Sequence, residues 1–306
     1  MKIIYGINNI RKFKDPVVAM GVFDGVHRGH RRILEAAATK AREIKGQSIV
    51  VTFDPHPQKQ ESLYSLEHRL RLIAELGIDV CIVINFSRHF AAIDAKDFVK
   101  DILAERIGAV SVYVGKDFRF GYKARGGLEL LEKLGKAYHF KAKGFSIVTV
   151  RGKAISSTLI RKLIKNGEIK DAQKLLARPV SILGTVIKGT KIGRILGFPT
   201  ANINPHHEVI PAAGIYAVII KLDKKKFKGA CYIGTRPTIK TKDRRPKTEG
   251  GVNVEVHIFN FKKNIYGKYL EIQFVEKLRS DKKFPSLALL AKQIRKDVRR
   301  ARQILS

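Results

Sequence analysis

The chain has 306 residues, 44% of them hydrophobic, enough for two ordinary domains with cores of their own. The formal net charge is +33 and it is spread along the chain: 33 basic against 18 acidic residues in 1–178, and 27 against 9 in 179–306. This excludes a basic tail as the source and reads as a lysine-rich surface, although such charge also suits nucleic acid, an anionic membrane or phosphorylated ligands. Cys81 and Cys231 stand far apart in apolar segments without a C-x-x-C, which excludes a disulfide framework and a cysteine zinc site. No signal peptide opens the chain and no apolar run spans a bilayer, so a cytoplasmic protein with no membrane partner is expected.

Residues 1–15 give a short strand and a connection. Residues 17–22 form an apolar run typical of a parallel-sheet strand buried on both faces. Gly21, Gly25 and Gly29 then allow tight turns and close backbone approach, with Phe23 and Asp24 between them. A helix over 29–44 opens with His27 and His30 at its mouth, three residues apart, where free N–H groups attract phosphate. The residues alone leave open a pair of solvated or adventitiously metal-bound imidazoles. A second buried strand is expected at 47–53, a helix at 66–76 and a strand at 80–86. Residues 87–107 read as a loop and an amphipathic helix with Phe98, Ile102 and Leu103 on one side, followed by a strand at 110–114. Strands alternating with helices predict a doubly wound, Rossmann-like α/β domain with a parallel sheet. Neither G-x-G-x-x-G nor a P-loop occurs. Asp117 follows a strand end, placed to hold ribose or an adenine edge, or simply to cap a loop. The last strand of this domain is expected at 147–150. Ile155-Ser156-Ser157-Thr158-Leu159-Ile160-Arg161 opens a short helix closed by Gly167; its hydroxyls serve as caps or, with Arg161, as a phosphate clamp. A helix over 171–177 leads to Arg178-Pro179, the expected boundary between domains 1–178 and 179–306.

Beyond it short β runs recur at 181–187, 215–222, 230–234, 253–259 and 269–274, the spacing of an antiparallel barrel or sandwich. A terminal helix over 286–304 carries an apolar stripe of Leu287, Leu290, Ile294 and Val298. Lys292, Arg295, Lys296, Arg299, Arg300 and Arg302 crowd its other face, read as a solvated surface. Gly189, Gly193 and Gly197 precede a Pro-Thr-x-Asn turn, either an ordinary glycine-rich turn or a loop that cradles phosphates. Thr200 and Asn202 offer neutral oxygens suited to Mg²⁺. Glu255 lies in an alternating strand, where alternation alone makes it an outward charge.

Gly21-x-Phe23-Asp24-Gly25-x-His27-x-Gly29-His30 resembles the nucleotidyltransferase signature of the bifunctional riboflavin kinase/FAD synthetases. The stretches around Asp117 and at 155–161 resemble its further nucleotide motifs. Gly193-Arg194-Ile195-Leu196-Gly197-Phe198-Pro199-Thr200-Ala201-Asn202 is similar to the hallmark of riboflavin kinases, whose fold is a small Greek-key barrel. Ile210-Pro211, Arg236-Pro237-Thr238, Val254-Glu255-x-His257 and Leu278-Arg279 follow in the family's order. The resemblance implies ATP-dependent phosphorylation of riboflavin to FMN, then adenylylation of FMN to FAD, with both flavins as products and not prosthetic groups. It implies that His27 and His30 stabilise adenylyl transfer, that Gly21, Phe23, Asp24, Gly25, Asp117, Ser157, Thr158 and Arg161 bind ATP, and that Glu255 is the kinase base. Gly189, Gly193 and Gly197 would hold the second ATP, Thr200 and Asn202 Mg²⁺, and Arg279 would lie near the flavin. The alternatives are a nucleotidyltransferase for another phosphorylated acceptor and a nucleic-acid-binding protein; no specific nucleic acid is expected, and the oligomeric state stays open. The segment 240–251 reads as a basic, polar loop ahead of Glu255.

Overall fold

Short Val- and Ile-rich runs, too brief for helices, become the strands of two separate sheets. The computed structural model describes residues 1–57, 61–150, 152–189, 192–206, 208–235 and 252–306. The expected motif residues Arg236, Pro237 and Thr238 and the segment 240–251 lie outside them. Packing divides the chain into Met1–Ser62 with Leu66–Ser156, and Leu63–Ser65 with Ser157–Ser306.

In the first unit β1 (Lys2–Tyr5), β2 (Val17–Met20), β3 (Ser48–Asp54), β4 (Val80–Asn85), β5 (Ser111–Gly115) and β6 (Lys141–Phe145) form one sheet. Its order is β1-β4-β3-β2-β5-β6 and every pairing is parallel. All four residues of β2 are buried, because helices cover both faces of such a sheet. Helix α1 (Arg28–Glu43) turns Ile33, Leu34, Ala37, Ala38 and Ala41 inward, and α2 (Leu66–Ala74) turns Leu70, Leu72 and Ile73 inward. From β2 the chain builds β3 and β4 to one side, then returns to build β5 and β6 on the other. The switch therefore lies between β2 and β5, where ligands of open α/β sheets collect at the carboxyl ends.

Three local expectations are corrected here. The last strand of the sheet is β6 at Lys141–Phe145, while β7 (Thr149–Val150) pairs with β8 (Lys153–Ala154) in a small antiparallel hairpin. No strand was expected at 141–145, where Lys141 and Lys143 weaken strand propensity, but an edge strand needs one neighbour only and tolerates lysine. A helix at Leu128–Ala137 was not expected from the sequence. Residues 87–107 break into turns at Arg88–Ala91 and Ala95–Asp97 before a π-type helix, Phe98–Ile107, which does bury Phe98, Ile102 and Leu103.

The second unit opens with helices Ser157–Asn166 and Ile169–Leu176. Six antiparallel strands then close a barrel: β9 (Val180–Ile187), β10 (Ala201–Asn204), β11 (Gly214–Leu222), β12 (Lys225–Thr235), β13 (Val252–Ile258) and β14 (Tyr269–Arg279). Their order is β10-β13-β12-β11-β14-β9, with β9 paired back to β10. Ile182, Val218, Val254, Val256, Ile272 and Phe274 are buried within it. The Pro-Thr-x-Asn turn is corrected: Ala201 and Asn202 begin β10, since pairing with β9 and β13 overrides the weak strand propensity of asparagine. Buried Glu208 accepts from the backbone of Leu183 at 2.9 Å and from the backbone and hydroxyl of Ser65 at 3.0 and 2.7 Å, fastening the Leu63–Ser65 segment into this unit.

The terminal helix Leu287–Ile304 starts from Ser286, whose hydroxyl accepts from the Leu289 N–H at 3.3 Å. Its later turns pack on the barrel: Val298, Ala301 and Ile304, with Leu305 just beyond, meet Ile215, Ala217, Phe259 and Leu278. Leu287, expected in the stripe, is 61% exposed because the first turn lies beyond that contact. Asp297 sits on the buried face instead. Arg279 donates to it through Nε at 3.0 Å and Nη2 at 2.8 Å, and Gln293 donates at 2.9 Å. Asp297→Ala leaves that guanidinium half-buried and without its carboxylate partner, and is expected to cost about 3 kcal/mol in urea unfolding. Arg299→Ala on the exposed face should stay within about 0.5 kcal/mol.

Candidate active sites

At the end of β2 the Gly21 N–H donates to Val51 O at 3.1 Å. A Cβ on Gly21 would stand 3.1 Å from the Phe23 ring, so the ring folds over the missing side chain. The chain then reverses through Phe23 (φ 53°), Gly25 (φ 81°) and Val26 (φ 38°). Glycine takes the left-handed region freely, but a β-branched residue there is strained by about 1–3 kcal/mol and persists only when its surroundings force it. Phe23, Asp24 and Val26 are all buried, which supplies that force.

This reversal delivers His27 as the N-cap of α1. Its Nδ1 accepts from the His30 N–H at 3.4 Å, which puts the ring proton on Nε2. The two imidazoles stack, with centroids 3.6 Å apart and planes at 19°, and Phe23 meets His30 edge-on at 5.4 Å. A Cβ on Gly29 would lie 3.2 Å from the His27 ring. The turn thus brings Gly21, Phe23, Asp24, Gly25, His27 and His30 together at a helix N-terminus, an arrangement of donors suited to a phosphoryl group. Asp117 stands exposed just past β5, across the switch, with Oδ1 2.9 Å from where a Gly115 Cβ would be. Ser157 opens the helix Ser157–Asn166 in the second unit, with Thr158 exposed and Arg161 half-buried one turn on.

The barrel gathers a second set. Asn202 of β10 pairs with Glu255 of β13, so their side chains leave the same face about 5 Å apart. Thr200 Oγ1 donates to Glu255 Oε2 at 3.0 Å. Asn253, two residues earlier on the same face, donates from Nδ2 to Oε1 at 2.6 Å. Both carboxylate oxygens are therefore held. Gly189 has no side chain where the Asn202 amide lies, and Gly193 packs against Thr200 and the Phe198 carbonyl, with Phe198 N–H donating to Gly193 O at 2.7 Å. Gly197 takes φ 85° to turn the chain back towards Thr200. His257 donates from Nδ1 to Pro199 O at 2.9 Å and meets Phe198 edge-on at 5.6 Å, fixing the loop onto β13. Among the described residues no group of three or more His, Cys, Asp or Glu could hold a metal ion. Arg279, expected near a flavin, has its guanidinium committed to Asp297 and to Ser280 O at 3.0 Å.

Sequence reasoning gave no part to Asn253 or Tyr232. The period-2 pattern of β13 carried a signal for the first, since Asn253 and Glu255 must share a face. Tyr232 is the partner of Glu255 on β12 and donates to Asp281 at 3.2 Å; only barrel register reveals it. Burial, with Asp281 and Glu255 nearby, pushes its phenol up to about 12, so it stays a hydrogen-bond donor. Burial also pushes Cys81 up to about 12 and raises Cys231 further, leaving both as inert core thiols.

The FAD synthetase family model matches residues 9–159, and the riboflavin kinase model matches residues 176–305. A bifunctional riboflavin kinase/FMN adenylyltransferase of Buchnera aphidicola subsp. Schizaphis graminum is 36% identical over 97% of this chain and 97% of its own. Its counterpart in Escherichia coli (strain K12) is 34% identical over 99% of this chain and 97% of its own. A crystal structure described as a macrolide-efflux protein from Streptococcus pneumoniae matches with a TM-score of 0.81 at 27% identity, covering 97% of each chain. Among the described residues no helix is long and apolar enough to cross a membrane.

Burial and the nearby Arg302 hold the His257 imidazole below its usual pKa, against the pull of the Pro199 carbonyl. The unfolded chain therefore takes up this proton first as the pH falls through about 6.5, and stability declines from there down to the folded-state value. His257→Gln should lower the melting temperature at neutral pH yet flatten its fall between about pH 7 and 5. Thermal scans over that range test this.

Proposed function

Since the chain belongs to the bifunctional riboflavin kinase/FMN adenylyltransferase family, we propose that its two reactions run on the two residue sets just described. The enzyme phosphorylates riboflavin with ATP to give FMN, and adenylylates FMN with a second ATP to give FAD and pyrophosphate. We assign adenylyl transfer to residues 1–178 and the kinase to 179–306, a border that the second family match from residue 176 supports.

The observation that carries the residue assignment is the 3.0 Å bond from Thr200 to Glu255 opposite Asn202. In the kinase reaction the terminal ribityl hydroxyl attacks the γ-phosphorus of ATP, the bond to the ADP oxygen breaks, and Glu255 takes the hydroxyl proton. Thr200 and Asn253 hold the carboxylate still for that transfer. Gly189 and Gly193 let Asn202 and Thr200 close on the loop, Gly197 turns it, and the backbone of that loop is assigned to the phosphates of this ATP. The hydroxyl of Thr200 and the amide of Asn202 are hard, neutral oxygens and fit Mg²⁺, which when bound offsets phosphate charge. Arg279, fixed by Asp297, is assigned to the flavin on the family motif alone.

In adenylyl transfer an FMN phosphate oxygen attacks the α-phosphorus of ATP and pyrophosphate leaves. The nucleophile is already anionic, so the work is alignment and charge stabilisation, and no base is required. His27 and His30 donate to the α-phosphoryl group as charge builds on it. Gly21, Phe23, Asp24 and Gly25 shape the turn, Asp117 serves the nucleoside end, and Ser157, Thr158 and Arg161 hold phosphate oxygens, the last four on motif alone. The family match argues against another phosphorylated acceptor. We assign the +33 charge no specific nucleic-acid role. Dependence of both steps on ATP favours a cytoplasmic enzyme.

Incubation with riboflavin, ATP and Mg²⁺, followed by chromatography of the flavins, should show FMN rising before FAD. His30→Ala should cut FAD formation by about 10²–10³-fold and spare FMN formation. Glu255→Gln should cut FMN formation by about 10²–10⁴-fold while leaving conversion of supplied FMN to FAD intact. Equal loss of both activities in either variant would sink the assignment.

A further inference from the structure

One buried charge has no part in either reaction. Arg69, on α2, is 1% exposed. Its Nη1 donates to Val22 O at 3.1 Å and its Nη2 to Phe53 O at 3.0 Å, while Nη2 stands 3.5 Å from Asp54 Oδ1. The two carbonyls belong to the residues that leave β2 and close β3. Thr52 Oγ1 donates to the same Val22 carbonyl at 2.9 Å.

A stability role accounts poorly for this residue. A guanidinium taken out of water loses several kcal/mol of hydration, and an apolar side chain of similar volume is often as stable or more so. Here Nε has no hydrogen-bond partner among the described residues, which adds an unmet donor. Burial lowers the pKa of Arg69 even against the pull of Asp54 and Asp24, so the surroundings do not favour its charge on balance. What Arg69 does uniquely is grip two strand ends with one planar fork, which lysine, a point charge, does not reproduce. One of those ends, Val22, directly precedes the strained reversal Phe23–Gly25–Val26 that seats the two imidazoles.

We propose that Arg69 is a positioning residue for adenylyl transfer: its guanidinium clamps the Val22 and Phe53 carbonyls and so fixes the turn that carries His27 and His30. The inference rests on the assignment of adenylyl transfer to that turn. Arg69 touches no reacting atom. It acts through alignment, where a shift of about 1 Å costs as much as 10²-fold in rate.

The test uses the full chain as Arg69→Lys, Arg69→Met and, in parallel, His30→Ala. The kinase activity of the same chain normalises the amount of protein, circular dichroism reports folding of the α/β unit, and FAD formation from FMN is measured with kcat and KM separated. Arg69→Met should lose about 30-fold or more in kcat and Arg69→Lys about tenfold, each with KM for FMN within about twofold of native and kinase activity retained. Arg69→Lys keeps the charge and length and decides alone if Arg69→Met does not fold. A kcat within about twofold of native in the folded variants overturns the proposal. So does a loss that follows the unfolded fraction and is restored in the cold, which marks a structural tie only. His30→Ala with undiminished FAD formation overturns the site assignment itself, whereas loss in His30→Ala beside intact Arg69 variants overturns only the role of Arg69.

Discussion

Both candidate sites depend on backbone that lacks a Cβ where a side chain from elsewhere must lie. Gly21 makes room for the Phe23 ring and Gly29 for the His27 ring. In the barrel, Gly189 makes room for the Asn202 amide and Gly193 for Thr200. Ligand phosphates need main-chain N–H groups at close range, and side chains that meet them need fixed seats. Glycine meets both needs at once. The two units share no architecture, yet each solves the same steric problem at the end of a strand.

The surroundings then hold geometry that a free chain would not keep. Val26 stays in the left-handed region because Phe23, Asp24 and Val26 are buried against the sheet. Glu255 stays in one orientation because Thr200 and Asn253 each occupy one of its oxygens. Rigid sheets are a suitable base for such arrangements, since strands set side-chain positions more closely than loops do. The terminal helix belongs to the same logic. Its buried Asp297 fixes Arg279 at the end of β14, close in sequence to Asp281, which receives the Tyr232 hydroxyl beside Glu255.

The imidazole pair was legible because its cause is local. Strand, glycine turn and helix start follow one another without interruption, and two side chains three apart on a helix mouth must meet. Fold class was legible for a similar reason, since short Val- and Ile-rich runs alternating with amphipathic stretches admit few packings. The edge strand β6 was not, because its lysines satisfy an edge but weaken strand propensity. Neither was β10, whose asparagines become strand residues only when β9 and β13 flank them.

The sequence by itself determined the two glycine-bearing loops, the residues that follow them, and the change from parallel α/β to antiparallel β texture. Those features are written in neighbours along the chain, and backbone sterics act between neighbours. Only the tertiary structure decided which distant groups meet: Thr200 on Glu255, Tyr232 across from it, Asp297 under Arg279, and Arg69 on the carbonyls of Val22 and Phe53. Such pairings follow from strand register and helix docking, which emerge when apolar surfaces close over one another. No local pattern of charge or spacing encodes them.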